Sequence, residues 1–263
     1  MKDRLTPMAI GGALTCVLLS MMMDGGNPAV LIKPAPLILV FGGTFAVSLA
    51  GVLKRDVKSA KLVFKQAMGS AVIDMDASIE TIVELARTAK QSTVMALENT
   101  VREVDDRFLQ LGVQLVVDGS NSEEIREILE GEIDAMEERH KAGAKFFTDM
   151  GGFAPTLGIL GTVIGLVHVL GSLSNPGALG PAIASAFTAT LWGVLSANLF
   201  WLPIANKLQR ISAAEVQVKL MQVEGLLAIQ AGGSSRVVRT RMETFLPAGS
   251  RDYALPDRRQ EAA

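Results

Sequence analysis

The sequence has little of what a soluble enzyme relies on. One cysteine occurs in 263 residues, Cys16, and it sits in an apolar run, so no disulfide can form within the chain and no redox compartment is read from it. The two histidines, His140 and His168, lie apart, and with a lone cysteine they supply neither a zinc site nor a nucleophile–base pair. No G-x-x-x-x-G-K-[ST] phosphate loop is present, which argues against nucleotide hydrolysis as an energy source. Aromatic residues make up 5% of the chain, and its basic residues are dispersed without an aromatic platform, so nucleic acid is not an expected partner. Neither an enzyme nor a bound cofactor is predicted. The longest absence is electrical: from Met150 to Asn206, 57 residues contain no Asp, Glu, Lys or Arg.

What the chain has instead is apolar length. Hydrophobic residues are 49% of it, and the mean hydropathy is +0.34, which points first to membrane spans. Leu5 to Met23 is an uncharged run of 19 residues and Pro36 to Leu53 one of 18. The Met150–Asn206 run breaks at Ser174-Asn175-Pro176-Gly177, leaving spans near 151–173 and 181–204. About 20 apolar residues cross a bilayer as a helix, so four spans are predicted. Asp24-Gly25-Gly26-Asn27-Pro28 is the first turn. Lys2 and Arg4 resemble the start of a signal peptide, but no A-x-A-like site follows and a second span comes within a few residues.

Basic residues orient the spans. Lys54, Arg55, Lys58, Lys61 and Lys65 follow span two, Lys141 and Lys145 precede span three, and Lys207 and Arg210 follow span four. The two loops on the other side hold only Lys33. By the positive-inside rule both termini and the long central segment are cytoplasmic. The expected fold is all-α: a polytopic membrane protein with four transmembrane helices and a helical cytoplasmic domain between helices two and three. Its predicted divisions are 1–53 (two spans), 54–149 (cytoplasmic domain), 150–206 (two spans) and 207–263 (cytoplasmic helix and polar tail).

Helical spacing runs through the cytoplasmic block. Val101, Val104, Phe108, Leu111 and Leu115 step by three and four, as do Ile125, Ile128, Leu129, Ile133 and Met136. Asp118-Gly119-Ser120-Asn121 reads as a loop, with Asn121 or Ser122 capping the next helix. The acidic residues of that helix read as a solvated face.

Small residues recur in spans three and four. Gly161 and Gly165 form a GxxxG pair, and Ser185, Ala189, Gly193 and Ala197 are spaced by four. Such rows let helix backbones approach closely, within one subunit, around a partner helix or between copies in a ring. Membrane ion pathways usually depend on an ionisable residue. These spans offer only hydroxyls, Thr162 and Thr190 among them, and His168. If the protein handles ions, the titrating carboxylate must come from another chain; the alternative is that each threonine bonds back to its own helix. Pro155 and Pro203, near the cytoplasmic ends of spans three and four, read either as hinges or as a helix start and stop.

Over residues 5 to 247 the chain resembles the MotA/PomA/MotP flagellar motor stator subunits. The carrying motifs are Lys33-Pro34-Ala35-Pro36 through Phe41-Gly42-Gly43-Thr44, Pro155-Thr156-Leu157-Gly158 through Gly161-Thr162-Val163-Ile164-Gly165-Leu166, and Gly180-Pro181-Ala182 with Thr190-Leu191-Trp192-Gly193 and Pro203-Ile204-Ala205-Asn206-Lys207. The resemblance implies an inner-membrane pentamer around a MotB-type partner. That partner has one span, a membrane aspartate and a peptidoglycan-binding domain, and the assembly turns ion flow into torque on the rotor protein FliG. It implies that Thr190 and Thr162 face the ion path, that Pro155 and Pro203 are conformational prolines, and that Lys90 and Glu98 meet the rotor, with Arg87 sharing the role. Thr162 resembles sodium-using relatives, whereas Lys33 stands where some relatives carry an acid, so proton and sodium both stay open. The competing reading is an ExbB/TolQ-type energiser of outer-membrane processes, a class with three spans and its amino terminus outside.

Overall fold

The computed structural model describes residues 5–53, 74–92, 97, 104, 106–171, 173–174 and 176–250, and among these there is no strand. The helices are α1 (Leu5–Met23), α2 (Pro34–Ala50), α3 (Met75–Gln91), α4 (Arg107–Val117), α5 (Ser122–Gly171), α6 (Pro176–Ser196), α7 (Leu202–Gln230) and α8 (Ser235–Glu243). A π-helical turn at Ile38–Gly42 lies inside α2, and another, Ala197–Trp201, joins α6 to α7. Described residues of 1–71 and 138–212 make one compact unit, and those of 72–137 and 213–263 make another.

The first unit is apolar. Three helical stretches, α1, α5 and the run Leu179–Gln230, are long and apolar enough to cross a membrane. The second predicted span appears as α2, whose length of about 25 Å puts it at the short end of the spanning range. Polar groups tie the ends of these helices together. At one end Lys33 Nζ donates to Pro181 O at 3.1 Å and Trp192 Nε1 to Leu31 O at 2.8 Å. Elsewhere Lys207 Nζ donates to Thr6 Oγ1 at 2.9 Å. The predicted first turn is a helix stop: Gly25 has φ +77°, which a side chain disfavours, and this lets Gly26 N–H reach back to Met21 O at 2.9 Å.

The second unit packs Ile82, Leu85, Leu97, Val113, Leu129, Met221 and Leu226 into one core. Helix α4 starts later than the predicted spacing, of which Phe108 and Leu115 pack partly buried against this core. Its cap is Asp106, whose carboxylate accepts from Phe108 N–H at 3.0 Å, so Val104 lies before the helix and Val101 lies outside the described residues. Starting there, the helix buries Leu109, Val113 and Val116 and leaves Leu111 exposed. The next cap is Asn121, whose Oδ1 accepts from Glu123 and Glu124 N–H at 3.0 and 2.9 Å. Ile125, Leu129 and Ile133 are buried as the spacing predicts, while Ile128 is exposed.

Helix α5 then continues for 50 residues with Pro155 inside it, so the division drawn at 149/150 is not a break in the helix. Proline removes one N–H and crowds the preceding turn, but a membrane helix tolerates this when neighbouring groups take up the freed carbonyl. Of the two readings of Pro155, a helix start is excluded. The predicted tail from Arg251 lies outside the described residues.

Candidate functional site

Helices α5 and α6 meet backbone to backbone. A Cβ added to Gly193 would lie 2.6 Å from Ala154 O and 3.0 Å from Gly158 Cα, and one added to Gly158 would lie 2.9 Å from Ala189 O. At Gly161 it would meet Ala189 Cβ at 2.6 Å, and at Gly165 it would meet Ala186 Cβ at 2.5 Å. The predicted small-residue rows therefore pack these two helices within one chain. Gly158 extends the Gly161/Gly165 row toward Pro155 and is a packing residue the sequence reading does not name; its i, i+3, i+7 spacing with that pair is the available signal. Ser185 lines a cavity of about 380 Å³ with Pro36, Leu39, His168 and Gly165, and Ala197 is buried at the first position of the π turn.

The hydroxyls lie at this contact. Thr190 Oγ1 donates across to Gly158 O at 3.2 Å. Thr162 Oγ1 lies 3.2 Å from Gly158 O in its own helix and 3.1 Å from Ala186 O across the contact. The two hydroxyl oxygens also touch each other. Back-bonding therefore describes only part of Thr162 and none of Thr190. Each hydroxyl carries one hydrogen and two lone pairs, so two hydrogens serve four oxygen–oxygen contacts. The cluster has more acceptor than donor capacity, the sign that suits a cation. Pro155 stands about 10 Å along the axis from Thr162, at the crossing itself, since its Cα is 3.3 Å from the position of a Cβ on Gly193. Pro203 is the second residue after the π turn and lies inside the continuous helical run Leu179–Gln230, so a helix stop does not describe it.

The predicted rotor charges are not part of this cluster. Arg87 pairs with Glu84 at 3.2 Å with both side chains exposed, Lys90 is exposed in the last turn of α3, and Glu98 lies outside the described residues. An exposed pair of this kind contributes little to stability. A half-buried network in the same unit has no counterpart in the sequence reading. Lys219 Nζ donates to both Asp106 oxygens at 3.0 and 2.8 Å, and Gln222 Nε2 donates to Asp106 Oδ2 at 3.2 Å and to Ser78 Oγ at 3.0 Å. Burial pushes the Asp106 carboxyl up, but the bond and charge of Lys219, with Gln222 and the Phe108 N–H, outweigh it and hold the group below the usual carboxylate range.

Comparison with known proteins follows the same lines. Residues 100–221 match the MotA/TolQ/ExbB proton channel family. Motility protein A of Bacillus subtilis is 36% identical over 245 residues, covering 92% of this chain and 91% of that protein. The chemotaxis protein PomA of Vibrio alginolyticus is 32% identical over 256 residues, covering 97% of this chain and all (100%) of that protein. Among solved structures, C. jejuni MotAB superimposes with a TM-score of 0.89 at 28% identity, over 97% of this chain and 99% of that one. The flagellar MotAB stator complex of Bacillus subtilis gives 0.85 at 33% identity, over 94% and 97%. With relatives this similar along nearly the whole chain, the protein belongs to the MotA/PomA family of flagellar motor stator subunits.

Proposed function

We propose that this subunit forms the cation-conducting wall of a flagellar stator, completed by a MotB-type partner that supplies the membrane aspartate. The observation that carries this reading is the acceptor-rich cluster of Thr162, Thr190, Gly158 O and Ala186 O, set in spans without Asp, Glu, Lys or Arg. Such a wall ligates a passing cation with neutral oxygens and has no carboxylate of its own. The titrating carboxylate therefore comes from a partner chain, and the two similar solved structures are MotAB complexes.

The apolar face of α5, with Ile159, Val163, Val167 and Leu170 exposed on the isolated chain, suits burial against lipid, the partner span or further copies in a pentameric ring. The termini and the α3 charges are cytoplasmic on the basic-residue asymmetry, where Arg87, Lys90 and Glu98 meet FliG. The second hydroxyl at Thr162 favours sodium, because an added neutral oxygen replaces part of the hydration shell of a dehydrated ion. Swimming speed measured against sodium concentration at fixed pH tests the ion: a rise that saturates supports sodium, and a flat response assigns the proton. Thr190→Ala tests the path. It should lower rotation severalfold while the subunit still assembles with its partner, and normal rotation would remove Thr190 from the path.

A further inference from the structure

Several hydroxyls of the membrane helices bond back to their own helix. Thr15, Thr156, Thr188 and Ser196 each donate to a carbonyl three or four residues back in their own helix, at 2.7 to 3.2 Å. Thr44 and Ser48 do not, although the carbonyls of Val40 and Thr44 stand one turn behind them. Thr44 is fully buried (0% exposed) and Ser48 nearly so (2%), and neither hydroxyl has a partner. The indole of Trp201 is a third such group: its Nε1 is buried with no acceptor, whereas the other tryptophan, Trp192, donates to Leu31 O. An unmet buried polar group is costly, and three in one small membrane unit call for a common explanation.

Helix α2 relates the three groups. Val40, Thr44 and Ser48 form the buried stripe of α2. Phe41, three residues before Thr44, packs edge-on against Trp201 with ring centres 6.4 Å apart, and Leu49 and Trp201 pack against the same apolar cluster. Trp201 therefore packs on the side of α2 that carries Thr44 and Ser48, which follow Phe41 by three and seven residues. Both helices are irregular here: Phe41 belongs to the π turn of α2, and Trp201 closes the π turn before α7 and Pro203. Such turns interrupt the regular ladder of an α-helix and often mark functional positions.

The donor set selects the ligand. An indole N–H only donates, which a metal cation cannot use, and no fixed positive charge in these spans compensates an anion. A small neutral molecule that both accepts and donates satisfies all three groups, accepting from the indole and exchanging hydrogen bonds with the hydroxyls. We infer that Thr44, Ser48 and Trp201 form a buried hydration site between α2 and the α6–α7 junction. Water held there gives the junction exchangeable hydrogen bonds, so its angle changes without stranding a polar group.

Tryptophan emission tests this in the full stator complex in lipid nanodiscs. The Trp201 signal is the difference between the wild-type protein and Trp201→Phe. It should emit at the long wavelength of a hydrated indole, with a lifetime that lengthens in D2O. The double variant Thr44→Val, Ser48→Ala should shift the emission to shorter wavelength, and Thr44→Ser should leave it in place. Short-wavelength emission insensitive to D2O in the wild type would overturn the site, as would a double variant with unchanged emission. Should the double variant not assemble, the wild-type emission and its D2O response decide alone.

Discussion

At Gly193 a single hydrogen atom in place of a side chain sets the distance between two helices. The nearest neighbour of an added Cβ is a backbone oxygen, Ala154 O at 2.6 Å, which cannot swing away as a side chain does. Gly193→Ala should therefore cost about 1–3 kcal/mol, as overpacking does elsewhere. Gly152→Ala is the control, since nothing lies within 4 Å of its added Cβ and alanine is the better helix former. Thermal unfolding of both variants in nanodiscs should lower the midpoint for the first and not for the second. Asp106 makes a different kind of contribution. Its carboxyl is held below its ordinary value of about 3.9, so the folded state binds fewer protons than the unfolded one near that pH. The stabilisation from this group is fully present above about pH 4 and is lost as pH falls through the depressed folded value. The stability gap between wild type and Asp106→Asn should thus be constant near neutrality and close on acidification below about pH 4. Thr162 and Thr190 were legible because spacing and motif single them out. The Asp106–Lys219 bond was not, because no local pattern joins residues separated by 113 positions.

Helix ends followed their sequence signals more closely than helix interiors did. Asn121 caps α5 because its short side chain reaches two N–H groups that would otherwise be unmet. Asn121→Ala should cost about 1 kcal/mol locally. Amide exchange in the first turn of α5 should accelerate accordingly, and unchanged protection would show that the cap is dispensable. The start of α4 differs because the apolar spacing runs on through Val104, upstream of Asp106, where the helix has not begun, although Val104 still packs against the core. The continuity of α5 through Pro155 was illegible for another reason. Proline is a strong stop signal in water, and only packing against Gly193, found in the folded chain, shows that the site accommodates it. The π turns likewise carry no residue pattern of their own, so the irregularity at Ile38–Gly42 and Ala197–Trp201 appears only in three dimensions.

For the whole molecule, membrane character, helical class and family were readable from charge distribution and motif spacing, because both are long-range averages that local errors do not disturb. The charges proposed to meet the rotor belong to this scale, since exposed Lys90 contributes little to folding by itself. Lys90→Glu should reduce torque severalfold in a bead assay while the number of fluorescently tagged stators at the motor stays unchanged. Equal loss of torque and of stator number would instead indicate a folding defect. A final consequence comes from the uncharged stretch between Met150 and Asn206. A wall without Asp, Glu, Lys or Arg costs little to insert and offers no carboxylate to a cation when left by itself. On the proposed function, newly made copies wait in the bilayer as electrically silent stock, dissipating none of the cell's gradient until assembly brings in the carboxylate that opens the circuit.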